Sequence, residues 1–498
     1  TPPLARYVMA LPLLAMDMNL PDDRSFWARE DRGEFSREFL YDLNDNSGRV
    51  VFMARLMMML TAVFGGVFLF FWMRKKVSAR AALLALFFYC LSPNILAHAR
   101  LATTDITAAV FIMCSVLSFW DFLERLGKHA AKINGVFLGI ALLTKFSALL
   151  LLPIYGAAYL VRLAVAVKKR EKIRLLLFPA LVTIALFVLW AGYGFETKPF
   201  FEDTLRVEEK KAFVENILAR MGPELRDKGM ALINEVNVPG SSYMIGLLGV
   251  IKHGAEGSRT FFMGKWSEDT GSPLYYLVAM AIKTPIPLIL FFASGAVFAL
   301  RGKYRVMTLF LLFTSFIFVL CASMSNLQLG LRYILPVYPF IFIVSAIGAD
   351  SLLERKRYIN AVTGLLMAWY FLSGLLIWPD YLSYFNEFIG GPANGYKYLR
   401  DSNIDWGQDL PALKKYMADN DIDTVTLNYF GSAKPEYYGI TCEKIPSSAA
   451  VEPEEKVYAV SAQYLDHFEW TETNMPSAKA GYSIFIYDLR DEAKKTER

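Results

Sequence analysis

Four charged side chains stand within long apolar stretches or at their ends, where charge is uncommon. They are Asp105, Lys145, Lys283 and Arg332. Burying a charged group in such a stretch is costly, so each of these residues is a functional candidate by default. One carboxylate among three cations describes a pocket that binds an anion and keeps one group able to accept a proton.

The anion that fits this set is the phosphate of a membrane lipid, since a lipid presents its phosphate at the depth where an apolar span ends. Lys145, Lys283 and Arg332 would neutralise the charge of that phosphate as it leaves. Asp105 would orient an attacking hydroxyl or accept its proton, and it is therefore the predicted catalytic residue.

Three of these residues also have simpler structural interpretations. Asp105 follows two threonines and could cap its helix. Arg332 could anchor its helix at the interface beside Tyr333, and Lys145 could extend its ammonium group to water. Lys283 is harder to explain in this way because two prolines follow it closely and break the helix.

The four histidines of the chain are scattered, and no two of them have metal-ligand spacing. His98 is the one that stands near Asp105, and Arg100 lies between them, so both are predicted substrate contacts. No metal site and no cofactor are predicted, although the sequence leaves the use of a divalent metal open.

Composition excludes a soluble protein, because 55% of the 498 residues are hydrophobic. Ten apolar stretches approach the ~20 residues that cross a bilayer. The predicted spans are 51–73, 81–98, 103–122, 133–144, 146–165, 174–192, 274–299, 306–323, 331–350 and 359–378. The fold class predicted is an α-helical polytopic membrane protein with about ten spans present and one missing at the N-terminus.

Basic residues occupy every second connector between these spans. The clusters are Arg74–Arg80, Arg125–Lys132, Lys168–Arg174, Arg301–Arg305 and Arg355–Arg357. Lys and Arg near membrane spans are retained on the cytoplasmic side. These connectors also hold most of the excess behind the net charge of +5, so no nucleic-acid partner is predicted.

This orientation gives the predicted domain organisation and location. We expect a multi-pass protein of the cytoplasmic (inner) membrane, with loop 193–273 and the C-terminal domain outside the cytoplasm. The predicted parts are 1–50, the end of a first external loop with an interfacial helix; 51–192, six spans; 193–273, a long external loop with a helical stretch over 203–220; 274–378, four spans; and 379–498, a small external α/β domain.

The C-terminal part has the composition of a soluble domain. A helix is predicted from an N-cap at Asp409 to about Asn420, and strands at 424–429, 457–460 and 483–487. The run from Asp401 to Asp409 has the oxygen-rich composition of a calcium loop. Its glycine falls one position late and Ala412 replaces the last ligand, so an Asx turn that leads into the helix is favoured.

Several strings spread along the chain resemble one enzyme family. They are Pro2–Tyr7, Ser92–His98, Thr103–Asp105, Leu142–Phe146, Lys283–Pro287, Gly330–Pro339, Tyr384–Pro392 and Asp401–Leu410. In order and content they resemble the bacterial dolichyl-phosphate-mannose–protein mannosyltransferase-like membrane glycosyltransferases. These enzymes have the GT-C fold and are related to glycosyltransferase family 39 and to the aminoarabinose transferase that modifies lipid A.

The resemblance implies a GT-C glycosyltransferase that moves a sugar from a polyprenyl-phosphate donor to a hydroxyl of a protein, lipid or glycan. It also implies that the anomeric configuration of the sugar is inverted, which follows from the family and not from any residue spacing. It also implies a catalytic acidic motif upstream of Pro2-Pro3, and therefore before Thr1. A transporter or flippase of a lipid-linked glycan is the alternative. It would require charged residues along a path through both leaflets, and the spans show few.

Overall fold

The computed structural model describes residues 2–21, 31–171, 174–200, 207–219, 222–445 and 453–490. Its helices are α1 Leu4–Ala10, α2 Arg32–Arg37, α3 Ser47–Lys76, α4 Ala79–Cys90, α5 Pro93–Ala99, α6 Asp105–Arg125, α7 Lys128–Leu142, α8 Leu151–Lys168, α9 Leu177–Gly192, α10 Val207–Ala219, α11 Pro223–Glu235, α12 Ser241–Glu256, α13 Tyr275–Lys283, α14 Ile286–Arg301, α15 Arg305–Ser323, α16 Tyr338–Leu353, α17 Arg357–Leu376, α18 Leu410–Asp419 and α19 Trp470–Thr473.

Within the described ranges, six helices are long and apolar enough to cross a membrane, or eight if each of two bent pairs is one span. The six are Ser47–Lys76, Asp105–Arg125, Phe146–Lys168, Arg305–Ser323, Leu335–Leu353 and Arg357–Leu376. The remaining predicted spans, 133–144 and 174–192, correspond to the shorter helices α7 and α9. Glycines on α7 bring this pair close, since a Cβ on Gly139 would lie 2.7 Å from a carbonyl oxygen of α9.

Two of the predicted spans are bent, and the break after Lys283 was predicted from its prolines, whereas the break before Pro93 was not. Helices α4 and α5 meet at 61°, and α13 and α14 meet at 111°. Both breaks fall immediately before or at a proline, Pro93 in the first pair and Pro285 in the second. Proline removes a backbone donor and clashes with the preceding turn, so these sequences end one helix and begin another.

Close contact between α14 and α16 forms the centre of the second half of the bundle. A Cβ on Gly295 would lie 1.9 Å from the carbonyl oxygen of Val344, and one on Gly348 would lie 2.5 Å from the backbone nitrogen of Gly295. Glycine on both surfaces lets the two backbones approach each other, as in small-residue contacts between membrane helices. α16 is buried over almost its whole length.

The basic connectors meet at one end of the bundle. Lys76 contacts Asp121 and Glu124 at the end of α6, and Arg80 contacts Asp350 at the end of α16. Arg174 donates to the carbonyl of Leu126. Asp105 and Lys145 lie at the other ends of their segments, on the side where the C-terminal domain packs.

Helices α10, α11 and α12 and two antiparallel two-stranded sheets occupy the region between α9 and α13. The strands are β1 Thr197–Pro199 paired with β2 Asn237–Pro239, and β3 Thr260–Phe262 paired with β4 Lys265–Ser267. The helical stretch predicted over 203–220 is α10 between 207 and 219, and its remaining residues lie outside the described ones.

A five-stranded sheet forms the C-terminal domain. Its strands are β5 Thr424–Asn428, β6 Thr441–Lys444, β7 Val457–Ser461, β8 Ala478–Ala480 and β9 Ile484–Asp488, in the order β6-β5-β7-β9-β8. β5 is parallel to both β6 and β7, whereas β9 is antiparallel to β7 and β8. The helix and the three strands predicted from the sequence are present, and β6 and β8 were not predicted.

Candidate functional site

Asp105 is the first residue of α6, and its side chain is 2% exposed. No side-chain hydrogen bond caps the helix at this point, so the capping interpretation does not describe the structure. The Oδ1 atom instead accepts a hydrogen bond from Nζ of Lys145 at 2.8 Å, and Oδ2 lies 3.9 Å from Nη1 of Arg332. The carboxylate is therefore shared by two cations.

Lys145 reaches Asp105 from the turn that follows α7. The backbone leaves the helix at Thr144, is extended at Lys145, and enters a 3-10 turn at Phe146. The ammonium group also lies 4.6 Å from the centroid of the Tyr333 ring, a cation–π distance. This geometry holds the ammonium at Asp105, and Lys145 is not merely extended to the interface.

Arg332 comes from a third segment, the 3-10 turn Leu331–Tyr333 that follows Gly330. Gly330 has φ of 109°, and a Cβ there would lie 3.1 Å from Ser402, so the turn depends on glycine at this position. The guanidinium lies 4.8 Å from the centroid of the Trp406 ring. The predicted grouping of Asp105, Lys145 and Arg332 is thus what the structure contains, though their roles stay predictions.

His98 and Arg100 lie beside this cluster in different ways. His98 is buried in α5, and its electrostatic neighbours include Asp105 and Arg332. Arg100 is exposed and donates a hydrogen bond to the carbonyl of Pro379. Their predicted contacts with substrate remain predictions. His98 lies near Asp105, and Arg100 lines a cavity that Trp406 also lines.

Lys283 makes contacts that differ from those expected of a phosphate ligand. Its Nζ donates to the carbonyls of Leu382 at 2.9 Å, Tyr384 at 3.1 Å and Asn403 at 2.6 Å. An ammonium group has three donors, so all of them are occupied. Lys283 therefore joins the α13–α14 break to the segment after the last span, and its role on the donor phosphate stays a prediction.

Several polar atoms around Asp105 are buried without a hydrogen-bond partner among the described residues. They are Asp105 Oδ2, His98 Nδ1, Thr103 Oγ1, Arg332 Nε and Trp406 Nε1. Buried polar atoms almost always have a partner in protein or water, and each exception calls for an explanation. Five exceptions in one neighbourhood indicate groups that are arranged for a polar ligand.

A cavity of about 500 Å³ lies next to this cluster, between the membrane helices and the C-terminal domain. Trp406 lines it, and so do Arg37, Arg55 and Arg100. Sequence reasoning did not select Arg37, Arg55 or Trp406. Trp406 stands in the Asp401–Asp409 run, which carried the only signal that could have drawn attention to it.

That run forms an Asx turn, as favoured from the sequence. Oδ1 of Asp405 accepts from the backbone N–H of Gly407 at 2.8 Å. Burial raises the pKa of the Asp405 carboxyl to about 7. Asp409 does not cap α18 as predicted, because its Oδ2 accepts instead from the backbone N–H and the hydroxyl of Ser483.

One family model matches part of the chain. Residues 33–202 match the family model of dolichyl-phosphate-mannose-protein mannosyltransferase. This range contains Asp105 and Lys145. No curated protein matches the chain.

Two kinds of solved structure are similar over most of the chain. ArnT from Cupriavidus metallidurans bound to undecaprenyl phosphate is 13% identical, with 97% of this chain and 96% of that chain covered and a TM-score of 0.43. The oligosaccharyltransferase AglB from Archaeoglobus fulgidus, in complex with an inhibitory peptide and a dolichol-phosphate, is 12% identical, with 92% and 66% covered and a TM-score of 0.43. Because both identities and both TM-scores are low, the assignment rests on the family match and the motifs.

The fold and the site define a multi-pass membrane protein with a buried carboxylate between two cations. The family match confirms the prediction made from the motifs. Over residues 33–202, about a third of its length, the chain is similar to the dolichyl-phosphate-mannose-protein mannosyltransferases.

Proposed function

We propose that the protein transfers a sugar from a polyprenyl-phosphate donor to a hydroxyl of an acceptor, with Asp105, Lys145 and Arg332 as the reacting site. The observation that carries this proposal is the convergence of these three residues from separate segments, with Asp105 Oδ2 buried and free of a hydrogen bond among the described residues. The description of the matched family, which names a dolichyl-phosphate-linked sugar, supports the class of donor.

In the proposed reaction the acceptor hydroxyl attacks the anomeric carbon of the donor sugar. A bond forms between the hydroxyl oxygen and that carbon, and the bond from the carbon to the phosphate oxygen breaks. The bonding electrons leave with the lipid phosphate, whose charge is offset by Lys145 and Arg332. Asp105 Oδ2 orients the hydroxyl and takes its proton, while Lys145 holds the other carboxylate oxygen in place. A single displacement of this kind inverts the anomeric configuration.

The positive charge of the connectors indicates which side of the membrane the site faces. The basic connectors lie at the end of the bundle opposite Asp105, and such clusters are retained in the cytoplasm. We therefore place the site, the loop 193–273 and the C-terminal domain at the outer face of the cytoplasmic (inner) membrane. The acceptor is a protein, lipid or glycan available there.

The test is transfer by purified protein in vesicles that contain a polyprenyl-phosphate sugar. Asp105→Asn should lower the rate at least a hundredfold, because general-base and orienting residues contribute about 10²–10⁴. Asp121→Asn is the matched control, since Asp121 lies at the opposite end of the same helix and contacts Lys76. An Asp105→Asn protein that folds normally and transfers sugar at the unaltered rate contradicts the proposal.

Translocation of a lipid-linked glycan is the rival activity. Among the Asp, Glu, His, Lys and Arg side chains of the described apolar helices, the buried ones are His98, Asp105 and Lys283, all at the same end. A path through both leaflets would need such groups along its length, so their placement favours transfer. Assaying release of the lipid phosphate beside passage of the intact lipid across the vesicle separates the two activities.

A further inference from the structure

A second cavity adjoins the one beside Trp406. Its volume is about 810 Å³, and its lining comes from the loop after β5, from the end of β6 and from the segment around His467. Both cavities are lined by Arg37, Ser432 and Ala433. Because they share these residues, they lie side by side along one surface that runs from Trp406 to the C-terminal sheet.

The second cavity lies where an α/β sheet usually binds its ligand. β5 is parallel to β6 and to β7, so the carboxyl ends of these three strands are at one edge. Ligands of such sheets bind in the crevice outside the carboxyl ends of the strands. Asn428 at the end of β5 and Lys444 at the end of β6 line this cavity.

Cations outnumber carboxylates in both linings, three to two in each. Arg55 and Arg100 line the first cavity, Lys434 and Lys444 line the second, and Arg37 lines both. Among the described residues, no carboxylate forms an ion pair with Arg37, Arg55 or Lys444, whereas Lys434 contacts Asp42. Unpaired cations on a shared surface attract an anionic ligand.

Four carboxylates line the two cavities, Asp380 and Asp409 in the first and Glu436 and Asp466 in the second, and two of them are engaged within the protein. Asp466 accepts two hydrogen bonds from Arg400, at 2.8 and 3.0 Å. Asp409 accepts from Ser483, as described above. With Asp409 and Asp466 engaged, one further carboxylate lines each cavity, Asp380 in the first and Glu436 in the second, against three cations in each lining.

We propose that the two cavities form one groove that binds an extended acidic glycan, one hydroxyl of which is presented to Asp105. This inference rests on the proposed function and names its acceptor class. Each cavity has the volume of a site for one small molecule, about 300–1,000 Å³, so a chain of several sugars fills both. Asn428, Ser432 and His467 supply hydrogen-bonding groups for sugar hydroxyls in the second cavity.

A polypeptide acceptor is less well matched to this groove. Peptides that bind sheets commonly add a strand along an exposed edge. The groove lies instead at the ends of the strands, where the sheet offers side chains and loops. Binding of an acidic peptide in place of the glycan is therefore an outcome that the experiment must separate.

The experiment measures binding of fluorescent oligogalacturonides of increasing length to the full chain in lipid nanodiscs. Neutral malto-oligosaccharides of the same lengths and poly-glutamate serve as comparison probes. Affinity should rise with the length of the acidic sugar, and Arg37→Gln and Lys444→Gln should each weaken the longest probe about tenfold through one lost charged contact. Lys415→Gln should leave the affinity for every probe unchanged, because Lys415 is exposed on α18 and lines neither cavity.

Equal binding of neutral sugars, no dependence on length, or stronger binding of poly-glutamate would overturn the inference. The Asp105→Asn protein keeps its affinity for the acidic probe if the groove binds the acceptor independently of catalysis. If transfer depends on Asp105 but no acidic sugar binds, the groove assignment fails and the proposed function stands. If acidic sugars bind but transfer does not depend on Asp105, the proposed function fails.

Discussion

The guanidinium of Arg332 lies over the indole ring of Trp406, 4.8 Å from the ring centroid. Arg332 stands between two membrane helices, whereas Trp406 belongs to the segment that leads into the C-terminal domain. The same guanidinium is 3.9 Å from Asp105. The membrane site is therefore completed by a residue of the extramembrane part.

Replacing Trp406 by leucine should lower the rate of transfer about threefold to thirtyfold. The ring and guanidinium interact with about 0.5–2 kcal/mol, and without the ring Arg332 is less well fixed beside Asp105. Steady-state kinetics with a polyprenyl-phosphate sugar measure the effect. Trp369→Leu is the control because Trp369 lies on α17 and bonds to Glu387. Equal losses in both variants would mean that the contact with Arg332 has no special role.

Replacing Lys283 by methionine should destabilise the protein by about 3 kcal/mol or more. Three buried carbonyl oxygens would lose their shared donor, and an unsatisfied buried group costs about 1–3 kcal/mol. The midpoint of thermal unfolding in detergent measures this loss, with the exposed Lys303→Met as control. A Lys283→Met protein that has normal stability but no longer binds the donor would instead support the predicted phosphate-binding role of Lys283.

Replacing Gly348 by alanine should separate α14 from α16 and lower stability by about 1–3 kcal/mol, the usual cost of overpacking. The new methyl group would meet backbone atoms of α14 at 2.5 and 2.6 Å. Gly364→Ala is the matched control, since a Cβ there meets nothing within 4 Å. The two variants should differ in their unfolding midpoints, and identical midpoints would contradict the close contact.

Asp405 should make stability fall as the pH rises. The folded-state pKa of its carboxyl, about 7, lies above the ordinary value of 3.8 because of burial. A raised pKa contributes stability that is fully present below the unfolded value and is lost as the pH rises through the folded value. Between pH 4 and pH 8 the wild type should therefore lose on the order of a few kcal/mol relative to Asp405→Asn.

Unfolding midpoints of both proteins across this pH range test the Asp405 prediction. Asn keeps an oxygen that can accept from Gly407 and carries no charge, so its curve should be flatter. Asp419→Asn, at an exposed position of α18, should follow the wild type. Parallel curves for wild type and Asp405→Asn would rule out ionisation of this carboxyl as the cause.

The sequence predicted the membrane helices well because the length of an apolar stretch can be read directly from its hydropathy. It predicted that Asp105 and Lys145 lie close together because both stand at the same ends of neighbouring segments. It did not predict what Lys283 bonds to, since its three acceptors lie 99, 101 and 120 positions later in the chain. Strand β6 was missed because its short, exposed sequence lacks the apolar pattern that strands β5 and β9 show.

The distance in sequence between Lys283 and its three carbonyl partners has a consequence for biosynthesis. While the ribosome is still making the helices up to α17, the ammonium group at the α13–α14 break has none of these acceptors. A charge without a partner at membrane depth is costly. We therefore expect the second half of the bundle to reach its final packing after Leu382–Asn403 has been synthesised.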